Sequence, residues 1–337
     1  LRLFRERRVG MIYKQTARIK EKISAIGIGC WNFGGDWDTS DDQNAERIIV
    51  EAIERGINLF DVAPVYGWNH AERVLGKALK ENGLRHQVLI ASKCGLTWGA
   101  DHVTENNLSR ENLLSEIDGS LMRLQTDYID IWQLHWPDPC TPIEETCEVL
   151  SEIKKTGKIR YIGLSNFAQK DMEVFHRTVG VDAQQGLYNM LERNTDSYHN
   201  IPLAYKTEDE MLPNVKKYGQ AFFPYSPMFQ GLLAGKFKAG NHLSEKDIRN
   251  ENPKLFGELF EKYVKGYQAL QDFADEMGRP IHEIAVNWLR QKEEVTSIIG
   301  GVSSVSQLNK NIAALDWEID SDSMNKINEI IEPFREI

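Results

Sequence analysis

Short apolar runs alternate with stretches of helical periodicity along most of this chain. Residues 24–29 form a first run that ends in a Gly-rich loop from Cys30 and Trp31 to Gly34 and Gly35. Ala45, Ile48, Ile49, Ala52 and Ile53 then repeat at the spacing of one helix face, and Gly56 marks the stop. The pair of signals recurs. Apolar runs at 58–61, 88–93, 129–134 and 159–164 predict strands, and the periodicities at 71–79, 113–124 and 143–153 predict the helices between them. Strands at 181–185, 221–225 and 297–300 follow, with helices at 211–218 and 304–315 and a long helical region at 255–291. Such alternation means parallel strands joined by right-handed crossovers. Eight units in a chain of 337 residues favour an α/β fold, the (β/α)8 or TIM barrel, with function at the strand C-terminal ends. A helix at 324–331 and a polar stretch at 193–209 are extra. The polar stretch is expected at the barrel mouth, as a flap or a subunit contact.

Two nucleotide-binding signatures fail. A doubly wound sheet would want Gly-x-Gly-x-x-Gly after the first strand; Gly27 and Gly29 begin it and Asn32 breaks it. The run from Gly231 to Lys236 is one residue short of a P-loop, and Phe237 stands where Ser or Thr is required.

Length alone allows two domains, and composition narrows the class. With 41% apolar and 27% charged residues the chain can bury a full core. A net charge of −10 without a basic stripe argues against a nucleic-acid partner. No apolar stretch approaches the roughly 18–20 residues of a membrane span, which argues against a membrane partner. Cys30, Cys94, Cys140 and Cys147 have neither C-x-x-C nor metal-site spacing and read as reduced thiols of a cytoplasmic protein. Cys30 and Cys94 sit at predicted strand ends, so an active-site thiol stays open as a reading. Residues 1–10, with Arg2, Arg5, Arg7 and Arg8, lack the apolar segment of a secretory signal. They read as a non-native or disordered extension ahead of a native start at Met11, with a single barrel domain at 11–337.

Three strands end in ionisable residues, Asp61, Lys93 and His135, and Tyr66 lies on the loop after the second. On a barrel these four meet at one mouth. A free phenol, with a pKa of about 10, is a poor acid at neutrality. A nearby ammonium would favour phenolate and ease proton donation, and Asp61 would balance a buried Lys93. His135 could polarise a substrate oxygen. The set suits protonation of a carbonyl oxygen while another group delivers hydride. Taken singly, the Asp reads as a helix cap and the Tyr and His as packing; four at successive strand ends favour chemistry.

The residues at 58–67, from Asn58 through Asp61 and Pro64 to Tyr66 and Gly67, resemble the aldo-keto reductase family. So do 124–139, with Trp132, His135 and Pro137; 157–167, with Ser165 and Asn166; and 225–236, from Tyr225, Ser226 and Pro227 to Lys236. The resemblance covers nearly everything after Met11 and is closest to the bacterial branch of inositol-operon and general-stress reductases. It implies NAD(P)H-dependent carbonyl reduction by Asp61, Tyr66, Lys93 and His135. It assigns Ser165, Asn166 and Gln185 to the nicotinamide carboxamide and Tyr225 to the ring face. It assigns Ser226, Pro227, Met228, Gly231, Leu232 and Lys236 to the pyrophosphate. Arg249, Gly301, Ser303, Gln307 and Asn311 go to the adenosine end, where Ser304 and Gln307 read as a capping box. Many relatives carry Lys or Arg after the glycine at 301, and here Val302 and Ser303 follow. The serines, the helix start and Lys236 still favour NADPH over NADH.

Trp31, Trp98 and Trp136 follow strands one, three and four and are candidates for the substrate wall, against a small carbonyl or sugar-like compound. A homo-oligomer is compatible with all of this. The alternative function is a cofactor-binding regulatory subunit of the potassium-channel β type. A metal-dependent hydrolase would need clustered ligands, and no two of the eight histidines lie within four residues of each other, so no metal is expected.

Overall fold

The computed structural model describes residues 10–35, 41–235 and 247–336. Eight strands form one parallel sheet: β1 (Ile26–Gly29), β2 (Leu59–Asp61), β3 (Leu89–Cys94), β4 (Ile129–Leu134), β5 (Ile159–Ser165), β6 (Ala183–Leu187), β7 (Ala221–Tyr225) and β8 (Ile298–Gly301). Strands β1 to β7 pair in chain order, and β8 pairs with β1. The sheet closes where Thr296 N donates to Phe222 O at 2.9 Å and Phe222 N donates to Thr296 Oγ1 at 3.1 Å. This is the (β/α)8 barrel expected from the alternation.

Side-chain period two gives the barrel two buried faces. Leu59, Leu89, Ala91, Ile131, Ala183, Ala221, Phe223 and Ile299 share one cluster with Ile19 and Ile23, which arrive from the antiparallel hairpin of Tyr13–Lys14 and Ile23–Ser24. The alternate residues, among them Ile28, Phe60, Ile90, Trp132 and Phe222, pack outward against the helices. These are α1 (Asp42–Glu54), α2 (His70–Glu81), α3 (Arg110–Leu124), α4 (Ile143–Lys155), α5 (Gln169–Thr178), α6 (Leu212–Tyr218), α7 (Gly257–Glu276), α8 (Ile281–Arg290), α9 (Val305–Ala313) and α10 (Ser321–Ile331). Among the described residues no helix is long and apolar enough to cross a membrane.

Several boundaries differ from the sequence expectation, the first strand among them, which starts at Ile26 rather than at 24. The sixth strand starts at Ala183; just before it the Asp182 carboxylate accepts Ile162 N–H and Lys154 Nζ, each at 3.0 Å. The region 255–291 is two helices, broken at Gly278, whose φ of +63° suits glycine, and at Pro280. A π-helical turn, Thr207–Met211, precedes α6.

The 193–209 stretch carries a two-residue hairpin of Ser197–Tyr198 and Ile201–Pro202. It is fastened by a buried cation. Lys254, only 2% exposed, donates from Nζ to Glu192 Oε1 at 2.8 Å, Thr195 Oγ1 at 2.7 Å and the Ser197 carbonyl at 2.5 Å. Three acceptors satisfy the three ammonium protons, which is what a buried lysine requires. Asn189 extends the knot, donating from Nδ2 to Glu192 Oε2 at 2.8 Å and to the Ser226 carbonyl at 3.0 Å.

Candidate active site

The inward parity of the strands continues past the apolar layer into polar residues. Leu59 is followed by Asp61, Ala91 by Lys93, Ile131 by Gln133 and His135, Ala183 by Gln185, and Phe223 by Tyr225. Two residues along a strand return to the same face, so these groups stack one layer above the barrel core. Room for them is made by Gly163, where a Cβ would come within 2.7 Å of Gln133 Cγ.

Lys93 is fully buried and joins the acid to the phenol. Its Nζ donates to Asp61 Oδ2 at 2.7 Å and to the Tyr66 oxygen at 2.9 Å. Asp61 Oδ1 accepts Gln185 Nε2 at 2.7 Å and Gln133 Nε2 at 3.3 Å. His135 sets the edge of its ring against Tyr66, centroids 6.1 Å apart, and Trp31 stacks on the phenol at 5.7 Å and 19°. The four residues expected to meet do meet.

The electrostatics depart from the expectation of an acidified phenol. Burial, then Asp61, then Cys30 push the Tyr66 phenol well above its ordinary value. Burial lowers the Lys93 ammonium and Asp61 opposes that shift. Burial and then Lys93 hold His135 well below the usual imidazole value, so it is neutral at physiological pH. Tyr66 therefore keeps its proton near neutrality. Because its oxygen already accepts from Lys93, that proton is left to point elsewhere. The ammonium at 2.9 Å then stands ready to stabilise the phenolate once the proton leaves. Cys30 and Cys94 are buried thiols pushed well up, which argues against either as a nucleophile.

The Tyr66 loop is tightly held. Gly67, Trp68 and Asn69 have φ of +58°, +53° and +79° in succession. A Cβ on Gly67 would stand 1.9 Å from the Gly34 carbonyl oxygen, so the Gly-rich loop after β1 and the Tyr66 loop cross at their backbones. Trp68 stacks on His102 at 4.2 Å and meets Trp98 edge-on at 5.4 Å. Trp31 and Trp98 thus belong to aromatic surfaces at the mouth, and Trp136 is half-buried against the apolar cluster that Tyr66 also packs on. Trp68 was not anticipated; no local pattern announces a tryptophan with left-handed backbone.

Trp98 rides on the hairpin of Leu96–Trp98 and Thr104–Asn106, rooted on a half-buried glutamate. Glu116 Oε2 accepts Gly95 N–H at 2.6 Å and Asn112 Nδ2 at 3.2 Å. Burial pushes Glu116 up to about 8, outweighing both donors. The folded protein thus keeps a proton that the unfolded chain loses above about pH 4.5. This contribution to stability is complete below that pH and is lost as pH rises towards 8. Denaturation midpoints of the parent and Glu116→Gln, followed from pH 5 to pH 8.5, should show the parent losing ground to the variant as pH rises. A constant difference would remove Glu116 as the titrating group.

Of the residues assigned to the nicotinamide end, Asn166 is a hub. Its Nδ2 donates to the His135 carbonyl at 3.1 Å and Ser165 Oγ at 3.0 Å, and its Oδ1 accepts Tyr225 at 2.9 Å and Tyr205 at 3.0 Å. Its φ of +68° turns it into this position. Ser165 keeps its own hydroxyl proton to donate, and Gln185 binds Asp61 as above. Gln133 and Tyr205 were not foreseen. A polar residue inside an apolar strand was the available signal for Gln133, whose buried Oε1 has no hydrogen-bond partner.

Past β7 the backbone turns through left-handed conformations at Ser226, Phe229, Gln230, Gly231 and Gly235, with φ between +46° and +107°. The N–H groups of Phe229, Gly231 and Gly235 close these turns on the carbonyls of Ser226, Met228 and Leu232 at 2.9, 2.9 and 3.0 Å. Pro227 and Leu232 are buried there, and Met228 is half-buried. Lys236 lies outside the described residues, as do 1–9. Arg249 is held by its neighbour, Nε donating to Asp247 Oδ1 at 2.8 Å and Nη2 to Oδ2 at 2.5 Å. Gly301 is exposed at the end of β8, and Asn311 comes close to Gly300, where a Cβ would lie 3.5 Å from its Nδ2. The capping box is half formed. Ser304 Oγ accepts Gln307 N–H at 3.2 Å, but the Gln307 side chain returns to Ser303 rather than to the Ser304 backbone.

The model of the aldo/keto reductase family matches residues 25–332. The aldo-keto reductase YhdN of Bacillus subtilis is 34% identical over 324 residues, covering 96% of this chain and 94% of that protein. A probable voltage-gated potassium channel subunit beta of Oryza sativa subsp. japonica is 30% identical over 311 residues, covering 91% and 92%. The structure of a glycerol dehydrogenase from Gluconobacter oxydans superposes with a TM-score of 0.83 at 28% identity, covering 96% of this chain and 95% of that one. The chain is an oxidoreductase and belongs to the aldo/keto reductase family.

Proposed function

We propose that this enzyme reduces an aldehyde or ketone, small or sugar-like, to the alcohol, with Tyr66 as the proton donor. The observation that carries the reading is the Lys93 ammonium bonded at once to Asp61 and to the Tyr66 oxygen. A reduced nicotinamide, when bound, would supply the hydride that the carbonyl carbon accepts. Tyr66 holds the proton for the carbonyl oxygen, Lys93 stabilises the phenolate left behind, and Asp61 keeps Lys93 charged. Neutral His135 at the ring edge can donate one hydrogen bond to the same oxygen. Ser165 and Gln185 suit the carboxamide, and Asn166 holds Ser165 and Tyr225 in place. Trp31, Trp98 and Trp68 offer aromatic faces to the substrate.

Likeness to the Bacillus subtilis reductase supports a place in the bacterial inositol-operon and general-stress branch. The hairpin in 193–209 supports the flap reading over a subunit contact, since Tyr198 lies edge-on to Tyr225 at 5.1 Å. The resemblance leans to NADPH through Ser303, the helix start and Lys236, but the surroundings of Ser303 support the other cofactor. A regulatory subunit of the potassium-channel β type is the second reading, favoured by the likeness to the rice protein. A panel of aldehydes, ketones and sugar-like carbonyls with NADH and NADPH, followed by loss of reduced nicotinamide absorbance, separates the two. Turnover on at least one carbonyl is expected; cofactor binding with no turnover on any would favour the regulatory subunit.

A further inference from the structure

We infer that the adenosine end of this site is built for the ribose diol of NADH and disfavours the 2′-phosphate of NADPH, with Asp41, Asp42 and Gln307 setting the preference. The inference rests on the nicotinamide-dependent reading above. A 2′-phosphate brings more than one negative charge and needs donors or cations of its own. The start of α9 offers such donors, and those of Ser303 and Gln307 are engaged within the protein. Ser303 donates its backbone N–H to Gln307 Oε1 at 2.9 Å and its hydroxyl to the same oxygen at 3.0 Å. The Gln307 N–H in turn goes to Ser304 Oγ at 3.2 Å. An anion arriving here would have to displace an amide oxygen from both Ser303 donors.

The charges nearby point the same way. Asp41 and Asp42, at the start of α1, line one small hollow with Asn32, Asn44, Val302 and Ser303. Asn44 Nδ2 donates to the Ser303 carbonyl at 3.0 Å, which ties the two helix starts together. Asp41 accepts Gln43 N–H at 2.9 Å, and His70 Nε2 lies 2.8 Å from Asp42 Oδ1. Carboxylates accept from ribose hydroxyls and repel a phosphate in their place. The position after Gly301 is the buried, neutral Val302. Arg249 is charge-balanced by Asp247. Lys236, which the resemblance counts towards NADPH, lies outside the described residues.

The test is equilibrium binding of each reduced dinucleotide to the full chain, read by quenching of tryptophan fluorescence. NADH is expected to bind at least about tenfold more tightly than NADPH, with the gap narrowing as salt is raised. The double variant Asp41→Asn/Asp42→Asn keeps a good cap on α1. It should tighten NADPH about fivefold or more and weaken NADH several-fold, as expected when groups that accept from the diol and repel the phosphate lose their charge. NADPH binding as tightly as NADH to the parent chain overturns the inference and leaves the carbonyl reductase reading intact. An unchanged NADPH affinity in the double variant overturns the role of the two carboxylates. Failure of both dinucleotides to bind overturns the underlying reading itself.

Discussion

Tyr66→Phe is expected to lower kcat for carbonyl reduction by about 10³-fold while cofactor affinity stays within about twofold of the parent. The variant removes the oxygen that accepts from Lys93 and the proton that oxygen carries, and little else. The ring remains to stack on Trp31 and to meet His135. Lys93 keeps Asp61 at 2.7 Å and the more distant Val62 carbonyl at 3.4 Å, so the buried ion pair survives. Turnover and dinucleotide binding measured on the same preparation separate the acid from the fold. Near-parental turnover with the best carbonyl would remove Tyr66 as the proton donor and move attention to His135.

Lys93→Met should be the costliest single change to stability. It leaves the Asp61 carboxylate, 3% exposed, with two amide donors and no cation, a loss of roughly 3–5 kcal/mol for breaking a buried pair from one side. The double variant Lys93→Met/Asp61→Asn removes the stranded charge and should recover most of the stability. It should not recover turnover, because nothing then stabilises the Tyr66 phenolate. Denaturant midpoints for both variants check the first half of this expectation, and turnover checks the second. A single variant as stable as the parent would mean that Asp61 does not depend on Lys93 for its balance.

Much of this was legible in the chain because the physics is periodic. Period two marked the strands, and the helical stripes marked their cover. Asp61, Lys93 and His135 were conspicuous as ionisable residues ending apolar runs. Gln133 was less so, since a neutral amide inside an apolar strand looks like an interruption. Its inward direction follows from counting two residues from Ile131. Tyr205 and Lys254 were invisible for another reason. Lys254 finds Glu192 across 62 residues, and Tyr205 reaches Asn166 across 39, so no local window holds both partners. The direction of the Tyr66 shift was missed because the presence of a lysine can be read from sequence and the depth of burial cannot. At this site burial dominates.

The knot around Lys254 bears on how the mouth of this barrel can be remodelled. Exchanging residues 193–209 for the corresponding stretch of a relative would seem a way to change substrate range. Transplanted alone, the new loop would lack Thr195 and the Ser197 carbonyl in register and leave a buried ammonium short of two of its three acceptors. The unit that can be exchanged is discontinuous: Asn189, Glu192, the hairpin and Lys254 move together between chains. The mouth is one part assembled from two stretches of sequence.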